Sequence, residues 1–184
     1  ERNKNWKPAW SSQDVAGYQN AISDFQKRWK AIDAGTVNSL KVSKESWVDY
    51  QLIGSAIHRV YWELDYLKVW QQQPRFYIDQ TAGVVFDLLL PIQVNDEIVR
   101  DVVFALNFTE EILSSGIKNL ANNAVKAYAV VAIDLLKDIE NQLNTMSKEL
   151  AEFVDQDLAD ALEASTKKAI GAFVNYREWL ISNL

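Results

Sequence analysis

The chain has 184 residues, 48% of them hydrophobic, with six glycines, three prolines and no cysteine: enough apolar mass to bury a core, too much for a disordered chain, and one domain by default. The formal net charge of −6 disfavours a nucleic-acid binder, which needs a basic patch or stripe. Without cysteine, disulfides, thiolate metal sites and cysteine nucleophiles are excluded, and no apolar run reaches the roughly eighteen residues of a membrane span.

The chain opens on Glu1 with no signal peptide, as expected of a mature chain or an excised piece of a longer one. Residues 1–10, ERNKNWKPAW, read as a loose polar N-terminal arm carrying Trp6, Pro8 and Trp10. Ser11 with Asp14 three residues on has the form of a capping box. Val15, Tyr18, Ile22, Phe25, Trp29 and Ile32 then follow at steps of three and four, the mark of an amphipathic helix. Gly35 is a natural C-cap, and residues 36–42 form a connector.

The stretch from Ser43 to Tyr77 reads as one long central helix, stopped by Pro74, with the rest of the chain wrapped around it. Ser43 is its N-cap and Glu45 suits the dipole of the first turn. Trp47, Tyr50, Ile53, Ile57, Val60, Leu64 and Leu67 make one apolar face, and Arg59 and Glu63, four apart, are spaced to pair. Beyond Pro74 a further helix is expected from Phe76 to Leu90. Gly83, Val84 and Val85 lower its propensity, the tail VVFDLLL leaves a buried strand as the alternative, and Pro91 ends it.

Asn95 caps a short helix with Asp96 and Glu97 in its first turn and Ile98, Val102, Val103 and Leu106 on its apolar side. Thr109 caps another, with Glu110 and Glu111, then Ile112, Leu113, Ile117 and Leu120. Two long helices close the chain. The first follows Asn122 or Asn123 and shows Val125, Tyr128, Ala132, Leu135, Ile139 and Met146. The second follows Asp155 and shows Leu158, Leu162, Ala169, Phe173, Tyr176 and Leu180. Between them, Ser147 is spaced to cap a short turn. The expected architecture is all-α: an antiparallel bundle of six or seven helices, two of them long at the C-terminus, forming a single domain over 11–184.

Charge is uneven along the chain. Residues 1–30 hold six Lys/Arg against three Asp/Glu, and residues 138–163 hold eight Asp/Glu against Lys148 alone. The simple reading is two solvated faces; the sharper one is a docking surface for a basic partner. Most of the tryptophans, at 6, 10, 29, 47, 62, 70 and 179, fall on helical faces and read as core, with Trp6 and Trp10 in the arm as the exceptions.

Little in the sequence carries chemistry. A helical zinc peptidase needs two histidines four apart and a glutamate between them to activate water; this chain has one histidine, His58, so that site cannot form. His58 with Asp65 or Glu63 could be read as a general base, but the spacing is loose and no nucleophile is evident. Asp155, Asp157 and Asp160 resemble the start of a calcium loop, yet the fifth and sixth positions are Ala159 and Asp160 where an oxygen ligand and glycine belong. An acid-rich helix start is the better reading. Asn107-Phe108-Thr109 matches a glycosylation sequon. No catalytic, cofactor-binding or metal-binding residue is assigned, and no cofactor is expected in this chain.

Trp47-Val48-Asp49-Tyr50, Trp62-Glu63-Leu64-Asp65 and Trp70 followed by Pro74 and Tyr77, then Glu111-Ile112-Leu113, Asn119-Leu120 and the closing Tyr176-Arg177-Glu178-Trp179-Leu180, form an ordered set over nearly the whole chain. In that order they resemble the bacterial family called domain of unknown function 885, whose members look like large helical metallopeptidases with a zinc-binding His-Glu-x-x-His helix far downstream. Where the family has a pattern like Arg-Leu-x-x-Ile-Pro, this chain reads Ala105-Leu106-Asn107-Phe108-Thr109-Glu110. The resemblance implies an N-terminal part that walls one side of a substrate cleft, lacks the zinc motif and is not catalytic alone. Its implied partner is the missing C-terminal catalytic part, and the family leans toward the bacterial cell envelope. The alternative is a free-standing helical interaction module that holds another protein by its acidic region or an apolar groove.

Overall fold

A computed structural model describes residues 9–32, 43–90 and 94–183. Trp6, Pro8, the C-cap expected at Gly35, the connector over 36–42 and Pro91 lie outside the described residues. The expected all-α bundle is what the structure shows, and no strand occurs among the described residues. The chain separates into two compact units, Ser11–Val69 in one and Trp70–Leu184, with the N-terminal segment ending at Trp10, in the other.

The first unit is a helical hairpin of α1 (Ser12–Ala31) and α2 (Lys44–Tyr61). Both start where the caps predicted. The Asp14 amide donates to Ser11 Oγ at 3.2 Å while Asp14 Oδ2 accepts from the Ser11 amide at 2.9 Å, a complete capping box. Ser43 Oγ accepts from the Ser46 amide at 3.2 Å. The helices meet through Trp29, which stacks on Tyr50 at 5.0 Å and 18° and donates Nε1–H to the Tyr50 carbonyl at 3.0 Å. The indole lies against Gly54, where a Cβ would overlap Trp29 Cζ2 and come to 2.6 Å of Cε2. Gln19 Nε2 donates to Asp65 Oδ1 at 2.5 Å. Residue 29 thus faces 50 and 54 while residue 19 faces 65, so the hairpin is antiparallel.

The central helix departs from its expected form. It does not run to Pro74. From Trp62 to Tyr66 it widens into a π turn, closed by the Leu67 amide donating to the Trp62 carbonyl at 2.7 Å, and it ends at Lys68, whose φ of 47° is left-handed. Arg59 and Glu63 do not pair. Only Ile57 and Leu64 of the expected apolar face are buried; Trp47, Ile53 and Leu67 are exposed. Pro74 instead starts a helix, as a first-turn proline can because its missing amide needs no partner there.

The second unit begins within α3 (Val69–Gln72), at Trp70, and continues through α4 (Pro74–Ile78), a π turn at Asp79–Gly83 and α5 (Val84–Leu88). The strand considered for VVFDLLL is not formed; its first residues are α5. There follow α6 (Asp96–Asn107), α7 (Thr109–Leu120), α8 (Lys126–Leu135), α9 (Ile139–Ala151) and α10 (Gln156–Asn183). Asn95 caps α6 as expected, its Oδ1 accepting from the Ile98 amide at 3.0 Å. Thr109 does not cap α7: it sits inside the first turn, fully buried, with no bond to its hydroxyl. The helix expected from Asn122 to Met146 is split between Leu135 and Ile139, and Ser147 is not a cap but a buried residue inside α9.

The long helix α10 is the axis of this unit and packs against α6, α7, α8 and α9. Leu158, Leu162, Ala169, Phe173, Tyr176 and Leu180, the face read from the spacing, are all buried. Each large apolar side chain taken out of water there contributes about 1.5–3 kcal/mol before the entropy of ordering it. Trp70 is buried with them, Trp10 and Trp179 are half-buried, and Trp47 and Trp62 in the hairpin are exposed.

Two substitutions test this architecture. Gly116 of α7 lies against the ring of Tyr77, where an added Cβ would come to 2.7 Å of Cγ, and Tyr77 is fully buried. Gly116→Ala is expected to cost about 1–3 kcal/mol, the usual price of overpacking, read from urea unfolding midpoints. At Lys68 the left-handed backbone penalises a branched Cβ. Lys68→Val is expected to destabilise by about 1–2 kcal/mol while Lys68→Gly does not destabilise, by the same measurement.

Candidate functional site

The residues that the sequence nominated for chemistry are not brought together. His58 Nδ1 lies 2.8 Å from the Gly54 carbonyl on its own helix, and its ring meets Trp29 edge-on at 5.5 Å. Asp65 is held by Gln19 instead. With one ring nitrogen committed to the backbone and no second histidine, these residues do not fit a peptidase zinc. Asp155 Oδ1 accepts from the Leu158 amide at 2.9 Å and Asp160 accepts from Gln156 Nε2 at 2.7 Å. That is the start of α10, not a calcium loop. Among the described residues no group of three or more His, Cys, Asp or Glu is placed to hold a metal ion. In the sequon, Thr109 is fully buried, while Asn107 is exposed and its Oδ1 accepts from Ser165 Oγ at 3.4 Å.

What the structure presents instead is a surface, and it centres on α8. This helix, KAYAVVAIDL, carries one cation and one anion among its ten residues. A helix so apolar belongs in an interior. Here only Ala129 and Ala132 on the helix, and Leu136 just after it, are buried. The bulky residues face out: Tyr128 is 45% exposed, Val130 62%, Val131 48% and Leu135 45%. Val125, Tyr128, Val131 and Leu135 step by three, three and four and form one ridge, extended to the side by Val130. This corrects the sequence reading, in which Val125, Tyr128 and Leu135 were expected on the core face. The alanines win that face because small side chains let α8 settle closely on α4 and α10.

The base beneath the ridge is rigid. The Val125 amide donates to the Gln72 carbonyl at 3.0 Å, pinning the start of α8 to the end of α3. Under it runs a buried polar knot. Tyr77 Oη donates to the Trp70 carbonyl at 2.5 Å and accepts from Asn119 Nδ2 at 2.9 Å. Asn119 Nδ2 also donates to the Trp10 carbonyl at 2.7 Å, and Trp10 meets Phe76 edge-on at 4.6 Å. Tyr176 Oη donates to the Pro74 carbonyl at 2.9 Å. The arm expected to be loose therefore ends in a fixed residue. Burial pushes both phenols above the ordinary tyrosine range; Asn119 opposes the shift at Tyr77, and the neighbouring Tyr77 adds to it at Tyr176.

Set against known protein families, curated proteins and solved structures, the chain matches none of them. No helix among the described residues is long and apolar enough to cross a membrane.

The two phenols give the unit a pH limit with a definite sign. Their folded-state pKa values lie above the unfolded value of about 10, so the neutral form is favoured by folding. Their contribution is fully present below about pH 10 and is lost as pH rises beyond it. The urea midpoint is expected to hold steady to about pH 9 and to fall above about pH 10. In Tyr176→Phe that alkaline slope is expected to be shallower. An unchanged slope would mean that the phenol is not shielded.

Proposed function

We propose that this chain is a non-catalytic helical docking domain, the counterpart of the N-terminal, cleft-walling part of the metallopeptidase-like bacterial proteins it resembles. One observation carries the reading: α8 turns its alanines inward and holds Tyr128, Val130, Val131 and Leu135 in solvent. Leaving those side chains about half exposed forgoes on the order of 1 kcal/mol apiece that full burial would supply. An ordered, contiguous apolar ridge on a rigid base is the surface that a second protein body covers. In this reading the cover is the catalytic part of the parent protein, and the chain contributes a wall and not a reacting group.

The single histidine, with its Nδ1 at the Gly54 carbonyl, supports the non-catalytic half of the reading. The ordered resemblance across 47–77, 111–120 and 176–180 supports the choice of partner.

The test takes the parent reading frame. It is expected to continue past Leu184 into a His-Glu-x-x-His helix, and that downstream piece, expressed separately, is expected to copurify with this chain. Tyr128→Glu with Val131→Glu should abolish copurification and leave the thermal midpoint within a few degrees, since both side chains are exposed. The chain alone is expected to bind no stoichiometric zinc. Zinc at one equivalent, or peptide hydrolysis lost on chelation, would sink the proposal, as would a double variant that still copurifies.

A further inference from the structure

A second surface, distinct from the α8 ridge, lies along α9. An open groove of about 520 Å³ lies between α9 and the C-terminal end of α5. Its floor is apolar: Phe86, Leu89, Val94, Met146 and Leu150. Its other wall is one helical face, Asp138 at the N-cap of α9, then the pair Asn141 and Gln142, then Thr145 and Glu149, each level three or four residues from the next. The two carboxylates stand eleven residues apart, about 16 Å along a helix axis, and so mark the two ends of the groove. Among the described residues no lysine or arginine lines it.

Folding accounts for one of these charges and not for the other: Asp138 is the N-cap of α9, where the helix dipole favours an anion. Glu149 sits in the last turn of α9, where the helix dipole disfavours an anion, and it forms no ion pair among the described residues. Glu152 follows it directly past the helix end. Asp138 accepts from Asn141 Nδ2 at 2.7 Å through Oδ1, which leaves Oδ2 open. The neighbourhood deepens the same field, with eight Asp/Glu against one Lys over 138–163. An unpaired acid at the wrong end of a helix, on the rim of an apolar groove, is a local rule broken without a structural gain. Such breaks mark binding positions.

We infer that this groove takes an amphipathic helical peptide segment whose apolar face is bracketed by Lys or Arg about three turns apart. The apolar side chains at i, i+3 or i+4 and i+7 fill the floor over Phe86, Leu89 and Met146, in the helix-in-groove manner. One basic residue meets Glu149 and the carbonyl end of α9; the other meets Asp138. The charge pairs set direction and register more than raw affinity. This inference does not rest on the docking reading of α8, because the two surfaces share no residue.

The experiment titrates the whole chain into a fluorescently labelled helical peptide of about three turns, Leu-rich on one face with Lys at both ends, and follows anisotropy. A matched peptide with Glu in place of each Lys is the control. The Lys peptide is expected to bind and the Glu peptide not to. Asp138→Lys with Glu149→Lys should weaken binding about tenfold or more, and added salt should weaken the wild-type complex. Both positions are exposed, so the variant is expected to fold; its circular dichroism and thermal midpoint are the check. As a second reading that survives a misfolded variant, amide shifts on wild-type protein should concentrate at Leu89, Gln142, Thr145, Met146 and Glu149. Equal binding of the two peptides would overturn the inference. So would shifts centred on Tyr128 and Val131, which would instead place the peptide on the docking ridge.

Discussion

Tyr77 is the side chain on which most of the larger unit depends. It is fully buried, its ring lies on Gly116, and its hydroxyl joins the Trp70 carbonyl to Asn119, which in turn holds the Trp10 carbonyl. One phenol thus ties together the end of the N-terminal segment, α3, α4 and α7. Removing the hydroxyl would leave the Trp70 carbonyl without this donor, a loss of about 1–3 kcal/mol where no water can replace the bond, while Asn119 would keep the Trp10 carbonyl. The glycine opposite is the other half of the contact, because only a residue without Cβ lets α7 approach the ring this closely. Tyr176, bonded to the Pro74 carbonyl, fixes α10 to the same short helix. The ridge on α8 stands on α4 and α10, so its shape is inherited from this knot.

Much of the fold was legible because it is written in local chemistry. Ser11 with Asp14, Ser43 and Asn95 start helices where their side chains satisfy first-turn amides, and this needs no knowledge of the rest of the chain. The apolar spacing of α10 was legible for a related reason: a helix surrounded on several sides needs a wide and regular stripe. The two π turns were not legible. At Trp62–Tyr66 and Asp79–Gly83 the helical pattern of apolar residues continues across the wider turn, and nothing in residue type distinguishes it. The break at Lys68 was hidden for the same reason, since lysine is a good helix former and carries no turn signal.

The candidate surface was legible in composition and not in orientation. The run from Val125 to Leu135 is plainly apolar, and it was natural to assign its large residues to the core. The structure reverses this. Ala129 and Ala132 face inward because close helix approach rewards small side chains, and the large ones are left outside. Periodicity counts apolar positions and does not say which of two apolar faces is covered. The acidity of 138–163 was visible from the residues alone. That Asp138 and Glu149 share a groove wall with Met146 depends on where α5 lies, which is tertiary information.

The π turns carry a further implication, for how chains of this kind change over time. A π turn is an α-helix with one residue too many for its register. The simplest origin is a single-codon insertion that the helix absorbed without breaking. Losing one residue from Asp79–Gly83 would close the bulge and turn everything after it by about 100° around the axis, since each residue of a helix advances 3.6 to the turn. Val85, now buried, would rotate outward, and Phe86, which floors the groove, would swing away from α9. A one-residue length change at this point would therefore act as a switch of surface specificity, available to descent with no alteration of the groove's own side chains.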